Sequence, residues 1–352
     1  MKFDPKEIEN AKYIQGRRLM IEYASPITAR ENFRRAMEHK QLWMPKADDK
    51  MNFLPELLPD NPARAMVMQG KKYEGPVGGL DMFGIDWEFV PSANGSIVRP
   101  GNPTLKDVTQ WREIIKFPDV DSWDWEGSAE SDRNYLAEST RPQFFCILTG
   151  FFERLISFMD FGPAAYALMN RKTKDDVKEL MDKIADLWID VVDHVYKYYG
   201  DLVDGITIHD DWGAQDGPFF NERIVREMLV PYMRKVTDHI HSLGYFTNLH
   251  SCGKVERLIP CMIEAGWDCW DGMAINDYHL IYEQYGDKLL MNVPANDCPP
   301  DADDDTQREW AAKFVEEFAI KDKPAALSHY NDPGLPFDFE VYKLTREKFD
   351  ED

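Results

Sequence analysis

The chain has 352 residues, 41 Lys plus Arg against 63 Asp plus Glu, a formal charge of −22, and a 43% hydrophobic composition that includes 20 Phe, 15 Tyr and 10 Trp. That is apolar material for one large core or two ordinary ones, and so acidic a balance without a basic cluster excludes a nucleic-acid groove or an anionic membrane surface as partner. The opening Met1-Lys-Phe-Asp-Pro-Lys-Glu-Ile-Glu is charged throughout and no apolar run approaches the roughly 20 residues of a bilayer span, so a soluble, cytoplasmic protein without a signal peptide is expected.

From about residue 7 to 40 the spacing is helical, and Thr28-Ala-Arg-Glu31 is a capping box that predicts a helix to about His39. The stretch from Trp43 to about Gly101 is irregular and rich in Pro, Gly and aromatics. Around Gly78-Gly-Leu-Asp-Met-Phe-Gly84 and Trp87 it predicts short antiparallel strands in an insertion. A helical turn is expected over 105–115, and Asp119-Val-Asp-Ser-Trp-Asp-Trp reads as a linker. From Gln143 onward strands and helices alternate: strands over 144–149, 205–209, 245–249, 269–272, 289–293 and 325–328, with helices from Phe152 and over 177–199, 222–243, 255–265, 280–285 and 307–320. Six such strands without a Gly-x-Gly-x-x-Gly turn favour an α/β fold of the (β/α)8 TIM-barrel type over a dinucleotide-binding sheet. The first two strands then fall in the N-terminal third. The expected organisation is N-terminal helices and an insertion over 1–130, covering the barrel mouth, and the main part of the barrel over 131–352.

A barrel carries its chemistry where the strands end, so the residues delivered there are the candidates. They are His209, Asp210, Asp211 and Trp212; His250 and Cys252; Asp271; Asn296, Asp297 and Cys298; His329, Tyr330 and Asn331; and, after the first clear strand, Phe151, Phe152 and Glu153. His250-Ser-Cys252-Gly253 stands out, because positions i and i+2 of a strand point to the same side and an imidazole and a thiol together suit zinc. A third ligand must come from another strand. His329 is the first choice, with Cys298, Asp211 and Glu153 as alternatives. The plainer reading makes Cys252 a small buried hydrophobe. Cys146, Cys261 and Cys269 read as core, and an odd count of five Cys points to free thiols in a reducing compartment.

Asp210-Asp211 is a doubled carboxylate suited to acid or base work, or to capping a helix, and Asp81 is a third catalytic candidate, or a turn residue. Phe83, Trp87, Phe151, Phe152, Trp212, Phe219, Phe220 and Tyr330, with Asn331, are candidates for enclosing a planar apolar substrate, although each also suits a core.

Asp210-Asp-Trp-Gly-Ala-Gln215, Val230-Pro231, Leu249-His-Ser-Cys-Gly253 and Ile263-Glu-Ala-Gly-Trp-Asp268, with Thr28-Ala-Arg-Glu-Asn-Phe33 and Lys116-Phe-Pro-Asp119 earlier, resemble the uroporphyrinogen decarboxylase superfamily, specifically its corrinoid-dependent methyltransferase branch. The resemblance spans nearly the whole chain, and His-x-Cys-Gly is its most specific element. The arginine-rich N-terminal motif of the decarboxylases proper is not found, which argues against porphyrinogen decarboxylation. The resemblance implies a barrel that holds zinc through His250, Cys252 and a third ligand from the last barrel loop; family methyltransferases place a Cys there, where this chain has His329. It further implies methyl transfer between a small substrate, a methoxylated aromatic as first choice, and the cobalt of a partner corrinoid protein, with Asp210 or Asp211 as proton donor. The alternatives are transfer from the corrinoid protein to a thiol or tetrahydrofolate, and a metal-free decarboxylase or lyase using Asp81 and the aspartate pair.

Overall fold

The computed structural model describes residues 2–15, 19–93, 95–328 and 334–350. They form two compact units, one of Met1–Met51, Thr140–Pro142 and Asn276–Asp352, the other of Asn52–Ser139 and Gln143–Ile275. Neither coincides with the 1–130 and 131–352 expected from the sequence.

In the first unit, the helical spacing expected from 7 to 40 survives only at its ends, as helices Lys6–Glu9 and Ala29–Met37. Between them Lys12–Gln15 and Leu19–Glu22 pair antiparallel, because Tyr13, Ile14 and Ile21 suit a pleated ribbon better than a helix. The capping box works as read at its N-cap: the Thr28 hydroxyl accepts the Glu31 N–H at 3.1 Å. Strands Leu290–Pro294 and Ala325–Ser328 run parallel, Lys46 adds a parallel bridge to Leu327, and helices Tyr278–Tyr285, Asp304–Phe318 and Leu335–Asp350 accompany them.

In the second unit, parallel-sheet strands follow one another in the order Met51–Phe53, which begins at the unit boundary, Gln143–Ile147, Gly205–His209, Phe246–His250 and Cys269–Asp271. From Gln143–Ile147 onward neighbouring strands pair in parallel. Gln143–Ile147 is buried throughout and Gly205–His209 everywhere except at its final histidine, as expected of parallel strands covered on both faces. The long helix Lys174–Tyr199 starts three residues before its predicted position. The single helix expected over 222–243 is two, Glu222–Met228 and Val230–Ser242, because Pro231 has no N–H with which to continue the first. A helix not expected from the sequence, Trp125–Ala137, follows the 119–125 linker. The insertion forms the antiparallel strands Gly79–Leu80, Asp86–Val90 and Gly95–Val98. Its anchor is Arg154, fully buried, which pairs with Asp81 at 2.7 Å and with Asp60. The class is the expected one, α/β with TIM-barrel-like alternation of parallel strands and helices. No helix among the described residues is long and apolar enough to cross a membrane.

Candidate metal centre

Two adjacent parallel strands of the second unit end in the same pattern. Gly205–His209 continues into His209-Asp210-Asp211, Phe246–His250 into His250-Ser251-Cys252, and the register places His209 beside His250 and His250 beside Asp271. The i, i+2 relation therefore operates twice, side by side. One donor atom each from His209, Asp211, His250 and Cys252 lies within 4.8 Å of the other three. The His250 Nε2 to Cys252 Sγ distance is 3.4 Å, His209 Nε2 to Asp211 Oδ1 is 4.0 Å, and the two imidazoles stack at 4.6 Å and 22°.

Three local devices hold these strand ends. Gly150 donates its N–H to the His209 carbonyl at 2.7 Å, a close approach that needs glycine because a Cβ there would lie 2.8 Å from that oxygen. Asp210, with no exposed surface, accepts the N–H groups of Phe151 and Glu153 at 2.9 Å each and the Trp212 indole N–H at 2.8 Å. It thereby caps the helix Phe152–Met159 and fixes where Glu153 stands. Beyond Cys252, Gly253 turns at φ +94° against the Gly213 backbone, while the Cys252 N–H donates to Asp211 Oδ1 at 2.6 Å and ties the two strand ends together.

The electrostatics follow from burial and one arginine. Burial would raise the Glu153 carboxyl, but Arg64 and His209 overcome it and hold Glu153 at about 2. Burial disfavours charge on His209, yet the Glu153 carboxylate outweighs that and raises it. His250 is pushed down to about 4, by burial and then by His209, which leaves it neutral as a ligand must be. The Cys252 thiol is pushed up to about 12 by burial and by Asp211, and Asp210 to about 7 by burial and by Glu153. A dication among these donors inverts the logic for the thiol, since coordination deprotonates it.

Two imidazoles, one thiol and one carboxylate fit zinc in chemistry, and donor atoms all within 4.8 Å of one another need to close by no more than about an ångström to share one ion. Zinc binds all three donor types at roughly 2.0–2.3 Å, which sets tetrahedral neighbours about 3.3–3.8 Å apart. Of the ligands expected from sequence, His250 and Cys252 come together, joined by Asp211, one of the alternatives, and by His209, a strand-end residue to which no role was given. The signal for His209 was present: His209-x-Asp211 repeats the spacing of His250-x-Cys252. Glu153, expected as an alternative ligand, instead lies 2.5 Å from His209 Nδ1. Arg64, its partner at 3.3 Å, had no sequence signal. Cys298 is buried in the other unit. His329, Tyr330 and Asn331 lie outside the described residues.

The other candidates are placed as follows. Asp81 accepts N–H groups from Phe83, Ile85 and the Trp87 indole besides pairing with Arg154. Phe83 packs under the Arg154 guanidinium at 4.8 Å, Trp87 lies against that of Arg64 at 5.3 Å, and Phe151 and Trp212 have no exposed surface. The less buried aromatics of this unit near Trp212 are Phe219, whose N–H donates to the Trp212 carbonyl at 2.8 Å, and Phe161, 45% exposed and 4.9 Å from the Phe219 ring.

Residues 159–281 match the family model described as uroporphyrinogen decarboxylase (URO-D). Among solved structures, a methyltransferase from Methanosarcina mazei superposes with a TM-score of 0.58 at 14% identity, covering 92% of this chain and 99% of that one. Two chitinases, from Chromobacterium violaceum (TM-score 0.34, 10% identity, 62% of this chain and 83% of that one) and Flavobacterium johnsoniae (0.33, 10%, 66% and 81%), are likenesses too slight to bear on function. No curated protein matches the chain in sequence. Over residues 159–281, which contain all four clustered side chains, the chain is similar to uroporphyrinogen decarboxylase, as the motifs in that stretch suggested, and its fold is that of the Methanosarcina mazei methyltransferase.

Proposed function

We propose that the chain is a zinc-dependent methyltransferase that moves a methyl group between a small methylated substrate, first of all a methoxylated aromatic, and the cobalt of a partner corrinoid protein. The observation that carries this reading is the cluster of His209, Asp211, His250 and Cys252 at the ends of two adjacent parallel strands, where barrel enzymes place their chemistry. Its setting supports the reading: a URO-D-like stretch within a fold shared with a methyltransferase.

The four clustered residues would hold the zinc, which when bound supplies Lewis acidity at the methyl-bearing heteroatom. Around it the chain's own groups do the positioning. Glu153 holds the His209 ring, the Cys252 N–H holds Asp211, and Asp210 holds the backbone from which Glu153 projects. With Asp211 a ligand, the carboxylates of Asp210 and Asp81 are left as scaffold, their oxygens engaged by backbone, indole or guanidinium N–H groups. For an aryl methyl ether the carbon–oxygen bond would break with its electron pair staying on oxygen, the methyl would be taken by Co(I) of the corrinoid protein as co-substrate, and solvent would supply the proton that replaces it on the phenolate. Phe219, eight residues after Asp211 in the chain, and Phe161, whose ring meets that of Phe219 at 4.9 Å, form an aromatic pair in the same unit, which favours a planar ring as the methyl carrier.

The test is incubation of zinc-loaded protein with a Co(I) corrinoid protein and a panel of methyl ethers, methanol, methylamines and methyl thioethers, and in reverse of the methylated corrinoid protein with thiols and tetrahydrofolate. Loss of the Co(I) absorbance with an aryl methyl ether, abolished in Cys252→Ala, is the expected result. A wild-type protein that binds no metal but decarboxylates a porphyrinogen-like acid would instead establish the metal-free alternative.

A further inference from the structure

A histidine can ligate a metal only through a nitrogen that carries no proton, and the partner of the other nitrogen decides which one that is. His209 Nδ1 lies 2.5 Å from Glu153 Oε2, with the two side chains 19% and 15% exposed, while Nε2 faces the donors of the cluster. Glu153 is itself fixed at both ends. Its N–H donates to Asp210, and its carboxylate receives the Arg64 guanidinium at 3.3 and 3.5 Å. Arg64 in turn donates to the Leu148 carbonyl, lies 3.4 Å from the Thr149 hydroxyl and packs on the Trp87 ring.

We propose that Glu153, clamped by Arg64, is the positioning residue that takes the Nδ1 proton of His209 as a hydrogen bond and so commits Nε2 to the metal, an inference that rests on the metal reading above. Because the His250 ring stacks on His209 at 4.6 Å, the clamp orients both imidazoles of the site. It also explains the burial of an Arg–Glu pair beside the cluster, since such a pair adds little to stability relative to an apolar packing but fixes geometry.

The experiment measures zinc affinity of the full chain by competition with a chromophoric chelator in wild type, Glu153→Gln, His209→Ala and the double variant. Gln keeps the size, so the chain is expected to fold, which the melting of the metal-free protein reports, but its neutral amide lacks the charge that strengthens the Nδ1–H bond and that holds the Arg64 guanidinium. The expected result is a roughly ten- to hundredfold weaker affinity in Glu153→Gln, with no further loss when the same change is made on His209→Ala. Arg64→Lys, which keeps the carboxylate paired, serves as the milder variant with a loss below that of Glu153→Gln. Wild-type affinity in Glu153→Gln, or an undiminished loss on the His209→Ala background, overturns the inference while leaving the metal site standing. A wild-type chain that binds no zinc overturns both.

Discussion

Replacing Gly253 by alanine isolates the turn that places Cys252. Gly253 has φ +94°, and a Cβ built there would lie 2.3, 2.4 and 2.6 Å from C, O and Cα of Gly213, all backbone atoms that cannot rotate away. Restoring an ordinary contact near 3.4 Å requires the two turns to part by about an ångström. The left-handed conformation costs roughly 1–2 kcal/mol and overpacking a further 1–3 kcal/mol, so about 2–5 kcal/mol in all. At about 2 °C per kcal/mol for a chain of this size, that is a fall in Tm of about 4–10 °C. Gly79 is the internal control: its φ is +95°, but no atom lies within 4 Å of its would-be Cβ, so Gly79→Ala carries the backbone cost alone. Scanning calorimetry on both variants, with zinc binding measured alongside, separates the contributions. Equal Tm losses for the two, or unchanged zinc affinity in Gly253→Ala, would refute the claim that this close approach positions the thiol.

Arg154→Met leaves Asp60 and Asp81 buried without their cation and should destabilise by about 3–5 kcal/mol near neutral pH. Burial already raises the Asp60 carboxyl with the arginine present, so in the variant its folded value stands further above the unfolded one; the loss is then full at high pH and shrinks as pH falls and the carboxyl protonates. Urea melts of wild type and variant at pH 5 and 8 measure this, and a pH-independent difference would contradict it. Zinc at a hundred times its wild-type Kd should add about 2.7 kcal/mol to wild-type stability and much less to Cys252→Ala, which keeps three of the four donors, a contrast readable as a thermal shift.

What the sequence made legible follows burial. Gly205–His209 and Ala325–Ser328 were readable to the residue because a parallel strand covered on both faces is a short, nearly continuous run of apolar or β-branched residues between polar or glycine boundaries. The antiparallel pair Lys12–Gln15 and Leu19–Glu22 was not, since short mixed segments fit a helical template as well as a strand. His250 and Cys252 were visible through their spacing on one strand. His209 needed the register between two strands, which no spacing encodes, although the repeated His-x-donor pattern hinted at it. Arg64 reaches Glu153 across 89 positions and belongs to no motif, so only the fold reveals it. Phe151 and Trp212 were expected around a substrate because aromatics near strand ends look alike in sequence whether they line a cavity or fill a core; both are completely buried.

The central claim, that His209, Asp211, His250 and Cys252 together hold the metal, is tested most directly by zinc K-edge X-ray absorption on the metal-loaded full chain. The account predicts one sulfur at about 2.3 Å and three nitrogen or oxygen neighbours at about 2.0–2.2 Å, with the sulfur lost in Cys252→Ala and one light neighbour lost in His209→Ala. Two sulfurs in the wild-type shell, or a shell unchanged by His209→Ala, would contradict it.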